Sequence, residues 1–272
     1  MYIETPSAAC ETPVSPPSAA QVSRFPFYMR SEEPSPAIPT KAPCSSCAMR
    51  KVCIPSCLDG ADIVKFASIV HTKRRLQAGQ RLYRAGETSR SLYAIRSGFV
   101  KALNTTDDGR EQVTGFHMMG ELIGMDALGE ERHADEVVAL ESTEVCEIPV
   151  AELEKLSHEM PPLRRKLYQM VGLEIQQKRE AMLLLGAMRA EERLASFLLN
   201  LGRRYEERGF SASRFVLRMT RADIGRYLGL RLETVSRLLS KFQMEDLLGV
   251  RGKSVEIRSR DGLRLVLGSR PN

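Results

Sequence analysis

Three cysteines, Cys44, Cys47 and Cys53, fall within ten residues, and Cys57 follows four positions later. A C-x2-C pair can aim two sulfurs inward from one tight turn. Thiolates are soft ligands suited to zinc or to iron–sulfur clusters. The chain begins without a basic segment followed by an apolar run, so no secretory signal is read. In that setting a cysteine cluster points to a metal site more than to a disulfide framework. A fourth ligand is needed. Cys57 is local, whereas Cys146 lies some ninety residues away in an expected strand. Spacing leaves both open, along with the choice of metal, and assigns no role to Cys10.

A second constellation lies near the other end. Thr220 with Asp223 resembles a capping box that starts a helix. Ile224 and Leu228 are one turn apart, and Gly229 permits the positive φ that ends a helix sharply. A second helix would then turn Val235, Leu238, Leu239 and Phe242 inward. Its outer face would carry Glu233, Ser236 and Arg237, at i, i+3 and i+4. This is a helix-turn-helix whose second helix can enter the major groove. Arg can donate two bonds to guanine, Glu can accept from cytosine, and Ser can do either. Arg226, Arg231, Arg251 and Lys253 would contact phosphates, which position the protein without reading sequence. From Arg214 onward the chain has thirteen Lys and Arg against six Asp and Glu, a surplus of seven. The net charge is +6, so the rest is about neutral (6 − 7 = −1). The surplus sits where a polyanion would bind.

Other elements must position these groups. Residues 1–43, rich in Pro, Ser and Ala, are expected to be disordered. A short helix is expected over Asp62–His71. Short runs at Ser91–Ile95, Phe99–Leu103, Gln112–Met118 and Glu144–Ile148 alternate with turns, and Asp107-Asp108-Gly109 marks a hairpin. They predict a small antiparallel sandwich or barrel. A long helix over Pro161–Met188 carries Arg164, Tyr168, Val171, Ile175, Lys178, Met182 and Leu185 in steps of four and three, the rhythm of a coiled coil. It is read as a homodimer helix, interrupted by Lys178, which would face its own symmetry mate. A helix over Glu191–Arg208, the helix-turn-helix and a hairpin near Gly249–Ile257 complete the chain.

Hydrophobic residues at 43% and charged residues at 27% describe an ordinary water-soluble protein of two domains. No apolar stretch approaches the roughly 20 residues that span a bilayer, so a cytoplasmic location without membrane association is expected. His71, His117, His133 and His158 form no metal-ligand pair, and neither a Gly-rich phosphate loop nor a nucleophile motif is present, so no enzyme is read.

Several segments together resemble the cyclic-AMP receptor and fumarate–nitrate reduction regulator superfamily, and within it the oxygen-responsive iron–sulfur branch. They are Cys44-x2-Cys47-x5-Cys53-Ile-Pro, Ser91-Leu-Tyr-Ala-Ile-Arg-Ser-Gly98, Gly115-Phe-His117, Cys146-Glu-Ile-Pro149, Ala190-Glu-Glu-Arg-Leu194 and Glu233-Thr-Val-Ser-Arg237. The resemblance implies an α+β fold. It divides into a tail (1–43), a cysteine loop (44–60), a jelly-roll β-roll like cyclic-nucleotide-binding domains (61–158), a dimerisation helix (159–189) and a winged helix-turn-helix (190–272). It implies a 4Fe-4S cluster on Cys44, Cys47, Cys53 and Cys146, with structural zinc or a thiol switch as the alternative. It also implies TTGAT-type palindromic double-stranded DNA sites, mainly activation of anaerobic genes, and RNA polymerase as a further partner. This chain has Lys178 where such proteins carry an acidic residue. The cyclic-nucleotide branch needs an arginine followed by Ser or Thr, but here Arg132 precedes His133, so no cyclic nucleotide is expected.

Overall fold

The computed structural model describes residues 44–70, 72–106, 108–129 and 132–268. The expected tail therefore lies outside the described residues, as do Cys10 and His71.

After two 3-10 turns, Cys44–Ser46 and Ile54–Cys57, helix α1 covers Gly60–Ser68. Eight strands follow: β1 (Thr72–Leu76), β2 (Arg81–Tyr83), β3 (Ser91–Ser97), β4 (Phe99–Thr105), β5 (Glu111–Met118), β6 (Leu122–Ile123), β7 (Glu136–Ala139) and β8 (Thr143–Pro149). They form two four-stranded sheets, in the orders β1-β8-β3-β6 and β2-β7-β4-β5. All pairings are antiparallel. Gly109, at φ 82°, turns the β4–β5 hairpin, and Thr106 N–H donates to Arg110 O at 3.0 Å.

Side chains from both sheets meet in one apolar layer, including Tyr93, Ile95, Val100, Ala102, Val137 and Val145. A second layer covers the outer face of the β3–β8 sheet. There Leu92, Ala94 and Ile148 pack on Ile54, Ile63, Phe66 and Leu163. Strand β3 is therefore buried on both faces, which explains its unbroken run Leu92-Tyr-Ala-Ile95 where a half-exposed strand would alternate.

Helix α2 (Val150–Glu159) leads into the long α3 (Pro161–Ala187). Pro161 occupies its first turn, where a missing N–H costs nothing. Then come α4 (Ala190–Glu206), β9 (Arg214–Val216), α5 (Arg221–Leu228), α6 (Leu232–Met244), β10 (Leu248–Arg251), β11 (Ser254–Ile257) and α7 (Arg260–Val266). The last three strands form a small sheet ordered β10-β11-β9. A third apolar cluster joins α4, α5 and α6 to Phe99, Val113, Phe116 and Met118 of the other roll sheet.

Three expectations need adjustment. The first helix covers Gly60–Ser68, starting two residues before the expected Asp62 and ending three before the expected His71. Helix α2 stands where no element was read, although Leu153 and Leu156 carry a helical spacing and are buried. The C-terminal region adds β9 and α7 to the expected helices and hairpin.

Candidate DNA-reading face and cysteine pocket

The expected capping box is present. Thr220 Oγ1 accepts from Asp223 N–H at 3.0 Å, and Asp223 Oδ2 accepts from Thr220 N–H at 3.0 Å. The same carboxylate holds Lys101 of β4 at 2.6 Å. Burial pushes the Asp223 carboxyl up, but hydrogen bonds from Lys101 and Thr220 outweigh it, leaving the group below the usual carboxylate range. Gly229 closes α5 at φ 64°. Gly225, which sequence reasoning passed over, matters as much: a Cβ there would stand 2.5 Å from Leu230 O. Only glycine lets the connecting turn pass so close to α5.

Helix α6 buries Val235, Leu238, Leu239 and Phe242, as its period required. Glu233 and Arg237 are exposed and make no ion pair among the described residues. Ser236 is half-buried and accepts from the Arg221 guanidinium at 3.2 Å. Arg231 immediately precedes α6, and Lys253 and Arg251 extend from the β10–β11 hairpin; all three are exposed. Arg226 differs from expectation. It pairs with Glu111 of β5 at 3.0 Å, so it faces the roll.

The reading domain is fastened to the roll by groups far apart in sequence. Glu121 receives Arg204 at 3.0 and 2.6 Å and Arg208 at 2.7 Å. Arg204 also donates to Phe116 O at 2.6 Å. Burial pushes the Glu121 carboxyl up, yet the charge and hydrogen bonds of Arg204 hold it below the usual range. His117, a residue of β5, has its imidazole driven toward the neutral form by burial, despite Glu121 at 3.8 Å. Arg193, within the Ala190–Leu194 segment, donates to Leu185 O (2.8 Å), Met188 O (3.0 Å) and Leu228 O (3.0 Å). It joins the ends of α3 and α5. The motif had been noted in the sequence without a role for this arginine.

On α3, Leu163 and Leu184 are buried, while Tyr168, Val171, Ile175, Met182 and Leu185 are exposed along one stripe. Tyr168 and Met182 are the most open, at 71% and 73%. Lys178 is exposed too, with Nζ 3.5 Å from Glu174 Oε1 on the preceding turn. Glu174, which is not one of the stripe residues, lies within reach of this charge.

At the opposite face of the roll, Cys44, Cys47, Cys53 and Cys146 line one cavity. Met49, Pro55, Phe66, Val70, Ala94 and Ile148 supply its apolar walls, and Arg50 and Arg96 lie on its margin. Ile54, fully buried beside Cys53, anchors the loop, and Cys53 N–H donates to Met49 O at 3.0 Å. Cys146 stands on β8 between Lys73 of β1 and Ala94 of β3. Burial pushes the Cys53 thiol up to about 12 and the Cys146 thiol up to about 11. Cys44 is raised mainly by burial and next by Cys47. Cys57 is absent from the cavity lining, and its Sγ is 3.4 Å from Ile54 O. Lys166 and Asp59 are the charges that act on it. Among the described residues, no three His, Cys, Asp or Glu side chains are grouped to hold a single metal ion.

Residues 73–159 match the cyclic nucleotide-binding domain family, and residues 192–266 match the Crp-like helix-turn-helix domain. The chain is 44% identical over 229 residues to the fumarate and nitrate reduction regulatory proteins of Salmonella typhimurium (strain LT2) and Escherichia coli (strain K12). The match covers 84% of this chain and 92% of each relative. Among solved structures, FixK2 from Bradyrhizobium japonicum is similar at 32% identity and a TM-score of 0.68, over 74% of this chain and 98% of that one. The global regulator CLP of Xanthomonas campestris shares the fold, at 24% identity and a TM-score of 0.57, over 74% of this chain and 100% of that one.

Fold and reading face together define a DNA-binding transcription regulator and not an enzyme. The chain belongs to the CRP/FNR family of regulators. No helix among the described residues is long and apolar enough to cross a membrane.

Proposed function

We propose that this chain is an oxygen-responsive regulator whose DNA binding is controlled by a 4Fe-4S cluster on Cys44, Cys47, Cys53 and Cys146. One observation carries the reading: three thiols of the N-terminal loop and one from β8 surround the same cavity, although some ninety residues separate them. The donor set suits the group, since four cysteines hold such clusters. A single zinc would need all four sulfurs about 2.3 Å from one point. Zinc can also take four thiolates, so metal counts separate the two readings.

When bound, the cluster supplies iron–sulfide bonds that oxygen destroys, so its presence reports anaerobic conditions. The chain's own residues do the rest. Cys44, Cys47 and Cys53 of the loop and Cys146 of β8 would hold the cluster between them, and β8 runs directly into α2 and α3. Leu163 at the start of α3 packs in the same apolar cluster as Ile54, Cys44 and Ile148, so loop position bears on that helix. The exposed stripe of Tyr168, Val171, Ile175, Met182 and Leu185 then packs against a second copy. Lys178 opposes this by repulsion across the two-fold axis, and Glu174 at 3.5 Å weakens the repulsion.

In the homodimer two α6 helices enter major grooves about one DNA turn apart. Glu233, Ser236 and Arg237 read TTGAT-type half-sites, while Arg231 and Lys253 hold phosphates. Bound sites mainly activate anaerobic genes through RNA polymerase in the cytoplasm. A cyclic nucleotide is not the signal in this reading. The Arg132 guanidinium donates to Gly86 O at 2.7 Å, and the buried His133 ring stacks on Tyr83 at 3.5 Å.

Anaerobic isolation followed by iron, sulfide and zinc counts tests the cofactor. About four iron and four sulfide per chain are expected. One zinc and no iron would overturn the reading in favour of the structural-zinc alternative.

A further inference from the structure

The cysteine pocket has apolar walls, and that poses an electrostatic difficulty. Four thiolates more than offset the positive charge of a 4Fe-4S core, so the assembled group is anionic. Confining an anion among Phe66, Val70, Ala94 and Ile148 is costly unless a cation lies close by.

Two cations border the cavity. Arg50 is turned toward the loop, donating to Leu58 O at 3.0 Å and to Asp59 at 3.1 Å. Arg96 is placed differently. On β3, Ile95 faces Val145 of β8 and Ser97 faces Glu144, so Arg96 is the extra residue of a bulge. Bulges re-aim side chains and are built-in features. Here the bulge lies two residues from Ala94, the cross-strand partner of Cys146. Glu144 steadies the guanidinium at 3.6 Å without fully claiming it, because the same carboxylate also lies 3.9 Å from Arg75. The Arg96 side chain is 31% exposed, so water only partly screens its field.

We propose that Arg96 is the charge-compensating residue of the cysteine pocket. Its guanidinium offsets the negative charge of the bound cluster and slows cluster loss. This rests on the iron–sulfur reading above. Arg96 is a positioning and electrostatic residue and ligates nothing.

The test is a charge series: wild type, R96K, R96Q and R96E, each loaded anaerobically, with iron release to a ferrous chelator followed by the fading visible absorbance. Wild type and R96K are expected to release iron slowest, R96Q several-fold faster and R96E faster still, with the spread narrowing as salt is raised. Equal melting temperatures of the iron-free variants show that the fold is intact. Release from R96Q at the wild-type rate, or from R96K as fast as from R96Q, would overturn the proposal. If R96Q does not fold, the salt dependence of wild-type release decides: acceleration by salt supports the proposal and a flat response sinks it. A wild type without about four iron per chain defeats the cofactor reading itself, a result distinct from a failed charge series.

Discussion

The two outer faces of the β-roll are built on opposite principles. One packs the cysteine loop, α1 and the start of α3 against β3 and β8 through apolar side chains, with four thiols around a cavity. The other holds α4 and α5 against β4 and β5 through an apolar core and partly buried ion pairs. A buried ion pair fixes geometry, because removing one partner leaves an unpaired charge in low dielectric. Burial pushes the Cys53 and Cys146 thiols up, so a metal that took them as thiolates would have to displace their protons. Under the proposed function the thiol face would change with its ligand, while the ion-paired face would hold α4 and α5 in place.

The sharpest test of the contrast is at the thiols. Cys146→Ser should lose essentially all bound iron, while Cys57→Ser should retain the wild-type amount. Equal iron in both variants would break the division between the two cysteines.

Glu121→Gln comes next. It leaves the half-buried Arg204 and Arg208 without a carboxylate, and should cost about 1–3 kcal/mol, read as a lower midpoint in urea. Because the folded pKa of Glu121 is depressed, its stabilisation is fully present above the unfolded value of about 4.3 and is lost as pH falls through the lower folded one. Wild-type stability should therefore decline in that acid range more steeply than that of E121Q. Parallel profiles would mean the pair does not rigidify this face.

Arg237→Ala should remove about 1–3 kcal/mol of discrimination between a palindromic site and a one-base variant, roughly 5- to 150-fold in affinity ratio. An unchanged ratio in gel-shift titrations would remove this residue from base reading. The smallest effect belongs to Lys253→Ala. It should weaken binding to all sequences alike and reduce the salt slope by about 1.

What could be read from sequence divides along contact range. The helix-turn-helix was legible because its cap, turn glycine and buried period lie between Thr220 and Phe242. Cys44, Cys47 and Cys53 were legible from spacing, but the choice between Cys57 and Cys146 was not, since only the path of β8 brings Cys146 to the loop. Glu121 with Arg204, and Lys101 with Asp223, are separated by 83 and 122 residues, beyond the reach of any local pattern. Strands β2 and β7 are three and four residues long, too short for alternation to show. The basic β1, Thr72-Lys-Arg-Arg-Leu76, reads as exposed chain until pairing with β8 makes it a strand.

The most direct measurement titrates air into anaerobically isolated protein while fluorescence anisotropy on a TTGAT palindrome and the visible absorbance are followed together. DNA affinity should fall in step with the absorbance. Affinity that stays constant while the absorbance disappears would contradict the account.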